Sequence, residues 1–384
     1  MAHEARMNAG LPGAGAGLRL AAPPARVLVV ATRRIGDVLL ATPLVASIHA
    51  AWPAAAIDVL VFSGTGGVLA GLPGIDAVIE VAERPRLRDH LRLLRRIALR
   101  YDLALSTLPG DRPTLYARIA ARHAVGAQLD GGKHLWKRRL LGASVPYDDD
   151  GTHTVLQNLR LADALGIERC PAVQVPPGAP LPAALDDALA QGAFIVIHPW
   201  PRFRYKMWHD EGFTAFGQWA HDRSLRVILS GSGAADERAY VQALHARMPA
   251  GTLDLGGELS LAQLAGVLRR AALYLGPDTV VTHMAAALGV PTVALFGPSN
   301  PVKWGPWPAG WTTDASPWRR TGSGREGNVY LLQGRAPCAP GVPCLMEGCD
   351  RHVDSDSACL TGLPAARAID AAIELLEWRK NGSE

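Results

Sequence analysis

The stretch Leu275-Gly-Pro-Asp278-Thr279-Val-Val-Thr282-His283-Met-Ala-Ala-Ala-Leu-Gly289-Val-Pro-Thr-Val-Ala-Leu-Phe-Gly297-Pro298 reads as a strand end, a tight loop, a short helix and a buried strand. Its polar residues crowd the start of the helix. Unpaired backbone N–H groups and a partial positive charge make such a terminus a good phosphate site. His283 follows Thr279 by four positions, so both side chains lie on one helix face. Ala285, Ala286, Ala287 and Gly289 read instead as close packing of helix on sheet.

Outward from this stretch the pattern is strand, loop, helix, repeated. Strands are expected at 26–31, 57–62, 77–81 and 102–107, and again at 194–198, 226–230, 272–275 and 292–296. A helix is expected from Val38 to about Ala51. Leu87, Leu91, Leu94 and Ala98 mark another by their 3–4 spacing. Strands alternating with helices imply parallel α/β sheets. The Pro-rich segment Pro171–Pro182 separates two such series. The expected division is a disordered tail at 1–24, a first Rossmann-like domain at 25–175, a linker at 176–192 and a second domain at 193–361. Met7 is a second candidate start. No G-x-G-x-x-G follows the first strand, which argues against a dinucleotide oxidoreductase.

At 384 residues and 48 % hydrophobic content the chain can build two cores. No apolar run approaches a membrane span, and the Ala/Gly/Pro-rich start lacks a signal-peptide core. Residues 1–170 carry 21 basic and 15 acidic side chains, which favours an anionic partner for the first half. Arg86, Arg88, Arg92, Arg95, Arg96 and Arg100 stud one helix; it reads equally as an amphipathic surface helix or as a face for an anionic glycolipid or membrane. Asp148-Asp149-Asp150 reads as an exposed acidic turn. Cys338, Cys344, Cys349 and Cys359 fall within 22 residues. Free thiols are the leading reading, and a tetrahedral structural metal is the other.

Three further positions carry chemistry or its simpler alternative. Asp37 ends the first strand's loop and suits either a helix N-cap or a general base. Lys206, in His198-Pro-Trp-Pro-Arg-Phe-Arg-Tyr-Lys206-Met-Trp208, is a surface lysine or a partner for phosphate, with Arg202 and Arg204 beside it. Trp208 reads as a core anchor. Asp236 and Glu237 follow the Ser230-Gly-Ser-Gly233 loop as first-turn acids.

The quoted stretch resembles the C-terminal signature of glycosyltransferase family 9, the heptosyltransferase type, of pattern G-x-D-T/S-x-x-x-H-x-A-A-A-x-G-x-P-x-V-x-L-F-G. Gly36-Asp37-Val-Leu-Leu40 and the Lys206-Met-Trp208 loop resemble two other family motifs, and the resemblance runs from about Arg26 to Leu376. Pro298–Trp307 and Ser357-Ala-Cys359-Leu360 resemble heptosyltransferase III-like members. Val280 departs from the family, which often has Gly there.

The resemblance implies a GT-B fold, two Rossmann-like domains facing across a cleft, with a helix at 362–384 crossing back to the first. It implies an inverting transfer of heptose from ADP-heptose to a lipopolysaccharide inner-core acceptor, with no catalytic metal and no nucleic acid. Asp37 would be the base and Lys206 would meet the leaving diphosphate. Glu237, Asp278, Thr279 and His283 would join Lys206 on the donor, and Arg33, Arg34 and Gly36 would meet the acceptor. The expected place is the cytoplasm, at the inner membrane's surface. The rivals are a transferase with another sugar nucleotide or a protein acceptor, and an idle nucleotide-sugar-binding protein.

Overall fold

A computed structural model describes residues 17–129, 135–336, 338 and 341–381. The first sheet comprises β1 (Arg26–Val30), β2 (Ala56–Phe62), β3 (Ala77–Val81), β4 (Tyr101–Ser106), β5 (Ala121–Gln128) and β6 (Ala143–Pro146). Their spatial order is β3-β2-β1-β4-β5-β6, parallel throughout. The second comprises β7 (Phe194–Ile197), β8 (Arg226–Gly231), β9 (Leu253–Gly256), β10 (Leu273–Pro277), β11 (Thr292–Phe296), β12 (Gly324–Glu326) and β13 (Val329–Gln333). Its order is β12-β13-β11-β10-β7-β8-β9, and β12 alone runs antiparallel. In each sheet the first strand is flanked by the second and the fourth. That reversal opens a crevice at the strands' carboxyl ends, where such sheets bind ligands.

Near-continuous apolar strands are what a sheet covered on both faces requires. Val27 and Val29 join one buried cluster, while Leu28 and Val30 join another on the opposite face. The first of these clusters also holds Val196, Ile228, Tyr274 and Met284 of the second half, so the halves share apolar packing. The second sheet's far face is covered by Phe213, Phe216, Ala368, Ala372 and Leu375.

Several elements differ from expectation. The helix expected from Val38 to Ala51 is two helices, Ile35–Leu39 and Thr42–Ala51. Pro43 stands in the first turn of the second, where its missing N–H costs nothing, and it could not continue the first. On Leu87–Ile97 the buried residues are Leu93 and Ile97, whereas Leu87 and Leu91 are 75 % and 47 % exposed. The expected linker contains a helix, Ala183–Ala190. Residues 1–16 of the expected tail lie outside the described residues. From Gly17 on, the chain is docked: the Leu18 N–H donates to the Ala164 carbonyl at 2.8 Å, and Leu18 and Leu20 pack on the core.

The terminal helix Ala365–Asn381 does not cross back to the first domain. Its apolar face, Ala368, Ala371, Ala372 and Leu375, is spent on the second sheet beside Phe213 and Phe216. The connection between the halves runs through the helix Thr154–Leu165, which packs on Thr42–Ala51 and ends at Gly166 with φ 66°. That left-handed turn suits glycine.

His153 caps this connecting helix. Its Nδ1 accepts the Val155 N–H at 3.1 Å, so its Nε2 carries the proton and donates to the Gly305 carbonyl at 2.8 Å across the interface. Accepting at Nδ1 requires the neutral imidazole. Burial lowers its pKa to about 3. A depressed folded-state value gives stability that is complete above the unfolded value, about 6.5, and is lost as pH falls toward 3. Melting temperature should therefore fall more steeply between pH 6.5 and 4 in the wild type than in His153→Asn, whose amide oxygen can still cap the helix. Parallel slopes would remove His153 from the acid response.

Candidate functional site

Every candidate side chain lies at or just beyond a strand's carboxyl end. After β1, the helix Ile35–Leu39 starts from an extended Arg34 (φ −66°, ψ 156°), which is its N-cap. Asp37 is the third residue of the helix and is not its N-cap. Its side chain is 12 % exposed, with Oδ2 3.6 Å from Arg33 Nε. Its Oδ1 is buried and has no partner. Burial raises the Asp37 pKa, against the opposing pull of Arg33, Lys303, Lys206 and the Arg34 N–H. A carboxylate made more basic by burial, yet held among cations, suits a general base near neutral pH.

The loop after β7 carries Lys206. Trp208 fixes it as expected: the indole is buried and its N–H donates to the Leu363 carbonyl at 2.8 Å. Lys206 Nζ meets Asp278 Oδ2 at 2.5 Å. Burial alone would lower the lysine's pKa, but Asp278, with Tyr205 and Asp37, outweighs it and raises the value. Burial likewise opposes the Asp278 charge, and Lys206 with His283 brings its pKa below the usual carboxylate value. Both groups are therefore charged.

Asp278 and Thr279 lead from β10 into the helix Val280–Ala287. Thr279 is the N-cap, accepting the Thr282 N–H. Gly276 admits close backbone approach, since a Cβ there would collide with the Tyr274 hydroxyl and sit 3.0 Å from the His198 carbonyl. His283 Nε2 lies 3.8 Å from Asp278 Oδ1, and its buried Nδ1 has no partner. Burial first, then Lys206, lowers its pKa to about 4 against Asp278, so it is neutral at pH 7. A Cβ added to Gly36 would be 3.8 Å from His283 Cδ2, so the helix that carries Asp37 meets the helix that carries His283 here. Val280 is half-buried and packs on the shared core.

Arg33 donates to the Tyr147 hydroxyl at 3.1 Å and lies over the Trp304 ring. Arg34 is exposed, over Phe203. Glu237 is buried and accepts the Ser232 N–H at 2.7 Å and its hydroxyl, bracing the loop after β8; Asp236 is exposed. The acidic turn is more than an exposed turn. Asp148 folds it by accepting from the Asp150 and Gly151 N–H groups, while Asp149 and Asp150 pair with Lys303 and Arg320 of the second half.

Sequence reasoning missed Tyr147 and Lys303. Lys303 stood inside the quoted Pro298–Trp307 segment, and its neighbours gave no sign that it turns inward. Both line a cavity of about 10 Å³ with Asp37, Arg33, Thr154, Gln157 and Asn158, room for about one water. Beside it opens a groove of about 590 Å³ whose lining includes Arg33, Arg84, Arg112, Glu83 and Tyr147.

The four clustered cysteines are unevenly placed. Cys359 is buried, Cys344 partly so, and Cys338 and Cys349 are exposed. Burial, then the neighbouring thiols, pushes the Cys359 pKa up to about 12. Among the described residues no three His, Cys, Asp or Glu side chains are arranged to hold a metal.

Residues 92–314 match Glycosyltransferase family 9 (heptosyltransferase). The chain belongs to this family. It is 26 % identical over 286 residues to Lipopolysaccharide heptosyltransferase 3 of Escherichia coli K12, covering 71 % of this chain and 82 % of that relative. Its fold is that of the family 9 glycosyl transferase from Veillonella parvula (TM-score 0.68, 19 % identity, 91 % of this chain and 97 % of the other). It is shared by the E. coli heptosyltransferase WaaC solved with ADP (TM-score 0.64, 19 % identity, 91 % and 99 %). The GT-B architecture expected from the motifs is thus the observed one, and the protein is a glycosyltransferase.

In this family 9 enzyme Asp37→Asn keeps the size of the side chain and removes its basicity. Turnover should fall by about 10²–10⁴-fold, the usual scale for general acid–base catalysis, with melting temperature and nucleotide affinity nearly unchanged. Near-normal turnover would exclude Asp37 as the base. The wild-type rate should fall on acidification from a pH above the ordinary carboxylate range, because burial raises the Asp37 pKa and only the ionised form accepts a proton.

Proposed function

We propose that the enzyme transfers heptose from ADP-heptose to an inner-core lipopolysaccharide acceptor, inverting the anomeric centre. The observation that carries this reading is that Asp37 lies within the field of Lys206, whose ammonium pairs with Asp278 beside the Thr279-capped helix terminus of the other half. The WaaC structure holds ADP, and the E. coli K12 relative is a lipopolysaccharide heptosyltransferase. Asp37 takes the proton of the acceptor hydroxyl as that oxygen bonds to the anomeric carbon. The carbon–oxygen bond to the diphosphate breaks, and ADP leaves with its electron pair. Lys206 and the backbone N–H groups at the Val280–Ala287 terminus meet the charge that grows on the leaving phosphate.

Neutral His283 and Thr279 face the same diphosphate. Ser232 uses part of the acceptor capacity of Glu237 and leaves the remainder for a ribose hydroxyl. No step calls for a metal, since cationic side chains meet the leaving charge. The groove lined by Arg33, Arg84 and Arg112, next to Arg34 and Gly36, would take the anionic acceptor. Leu87 and Leu91, exposed on an Arg-studded helix, favour a seat on an anionic membrane surface at the cytoplasmic face. No described helix is long and apolar enough to cross the membrane.

The test is direct. Purified enzyme with ADP-heptose and heptose-deficient lipopolysaccharide should release ADP and add one heptose to the acceptor by mass spectrometry. Transfer from a different sugar nucleotide only, or to protein only, would replace this reading. Lys206→Ala should lower kcat more than it raises KM, since the charge it meets grows in the transition state. A change confined to KM would make Lys206 a ground-state contact.

Elemental analysis addresses the cysteines. Free thiols predict purified enzyme without stoichiometric zinc or iron, and chelator should leave melting unchanged. About one equivalent of metal, with destabilisation by chelator, would establish a structural site instead.

A further inference from the structure

Lys303 is a buried lysine, 4 % exposed, that follows β11 on the donor side of the cleft. It does not turn toward its own domain. Its ammonium pairs with the Asp149 carboxylate, donates to the Asp149 carbonyl at 3.0 Å and lies 3.4 Å from the Tyr147 hydroxyl. It rests between the rings of Tyr147 and Trp304, at 5.0 and 4.9 Å from their centroids. All but Trp304 of these partners belong to the acceptor domain. The same Tyr147 hydroxyl takes Arg33, the cation nearest Asp37. Lys303 and Asp37 line one small cavity. The Lys303 backbone is also tied across the interface, its carbonyl accepting from the Thr154 hydroxyl at 3.1 Å.

Burying an ammonium is costly unless paired charges and hydrogen bonds offset it. Lys303 meets that condition only where the two domains are seated as they are here, because its carboxylate partner is on the other domain. A cation that completes its contacts only in this arrangement reaches Asp37 only in this arrangement.

We propose that Lys303 is a positioning residue that closes the cationic cage around Asp37 from the donor domain, so that the base is held ionised when the two domains are in register. This rests on the reading of Asp37 as the base. The charged groups that face Asp37 are Arg33 on its own loop, Lys303 from the segment after β11 and Lys206 from the loop after β7. Asp149 and Asp278 balance the two lysines, and neutral His283 stands beside Gly36. With Lys303 gone, one cation that favours the carboxylate is lost and burial is less opposed.

The experiment is a pH profile of kcat/KM for the wild type, Lys303→Met, Lys303→Arg and Asp37→Asn, with melting temperature and ADP affinity measured on each. Lys303→Met should move the acidic limb to higher pH by half a unit or more, so that the rate deficit widens as pH falls. Lys303→Arg, which keeps the charge, should return the limb toward its original position. ADP affinity should change little, since Lys303 is placed away from the diphosphate contacts.

A uniform loss of rate in Lys303→Met, with the limb unmoved and melting lowered, would reduce Lys303 to an interface brace and overturn the proposal. An inactive Asp37→Asn beside an unmoved limb in Lys303→Met would sink this inference alone. Near-normal turnover in Asp37→Asn would overturn both it and the assignment of the base. If Lys303→Met fails to fold, the milder Lys303→Gln and the pair Asp149→Asn carry the measurement. Asp149→Asn leaves Lys303 charged but unpaired, and should move the limb in the opposite direction or leave it in place; an upward shift equal to that of the lysine variants would count against the cage.

Discussion

The site is organised by the burial of one carboxylate. Asp37 has been taken largely out of water, which makes its negative charge expensive and its basicity high. Everything around it limits that cost without removing it. Arg33 stands 3.6 Å away, a contact too long to be a strong hydrogen bond, and Oδ1 is left with no protein partner. A tightly bidentate Arg–Asp pair would have been more stable and a poor base. The arrangement keeps the carboxylate charged while leaving a lone pair for an incoming hydroxyl.

The backbone explains how the residue reaches this position. A continuous helix from Val38 to Ala51 would have needed its start near Asp37, making that residue a cap with its carboxylate engaged by backbone N–H groups. The observed start at Ile35, with Arg34 as the N-cap, avoids this by making Asp37 the third residue of the helix, and Pro43 stands in the first turn of the next helix, Thr42–Ala51. The five-residue helix Ile35–Leu39 then stands as a separate turn that packs on the helix Val280–Ala287 of the second half, with Asp37 in its first turn. Gly36, with His283 close by, lets this turn approach the other half. On the donor side Lys206 and Asp278 are each charged because of the other, although burial works against both. Opposite charges placed this way fix the lysine's direction before any ligand arrives, which is the preorganisation that electrostatic catalysis requires.

What the sequence made legible follows from how local each signal is. The eight expected strands are strongly apolar runs, and each corresponds to an observed strand. β13, Val329–Gln333, is an apolar run that was not among them, and neither was the three-residue β12 beside it. β5, β6 and β9 were not legible: Ala121–Gln128 carries Arg122 and His123, Ala143–Pro146 ends in proline, and Leu253–Gly256 spans four residues with an aspartate. Their strand character comes from pairing with a neighbour already in place, so it is set by tertiary context. The donor motif was legible because Asp278, Thr279 and His283 act within one loop and one helix. Lys303 and Tyr147 were not, since 156 residues separate them and only the joining of the two domains brings them together. The terminal helix was misplaced for a related reason: its apolar face shows that it packs, but the sequence alone does not say on which sheet.

Several polar contacts between the halves gather on two short segments. His153 to Gly305, Thr154 to the Lys303 carbonyl, Asn300 to Asp150 and Arg320 to Asp150 all cluster on the segments 147–154 and 300–320. They lie beside the cavity that Lys303 and Asp37 share, while on the other flank of Asp37 the turn Ile35–Leu39 packs on the helix Val280–Ala287, with Gly36 beside His283. With contacts on both flanks of Asp37, the distance from its carboxylate to Lys206 is set by how the two halves are seated, which is the positioning that a transfer between two bound reactants needs.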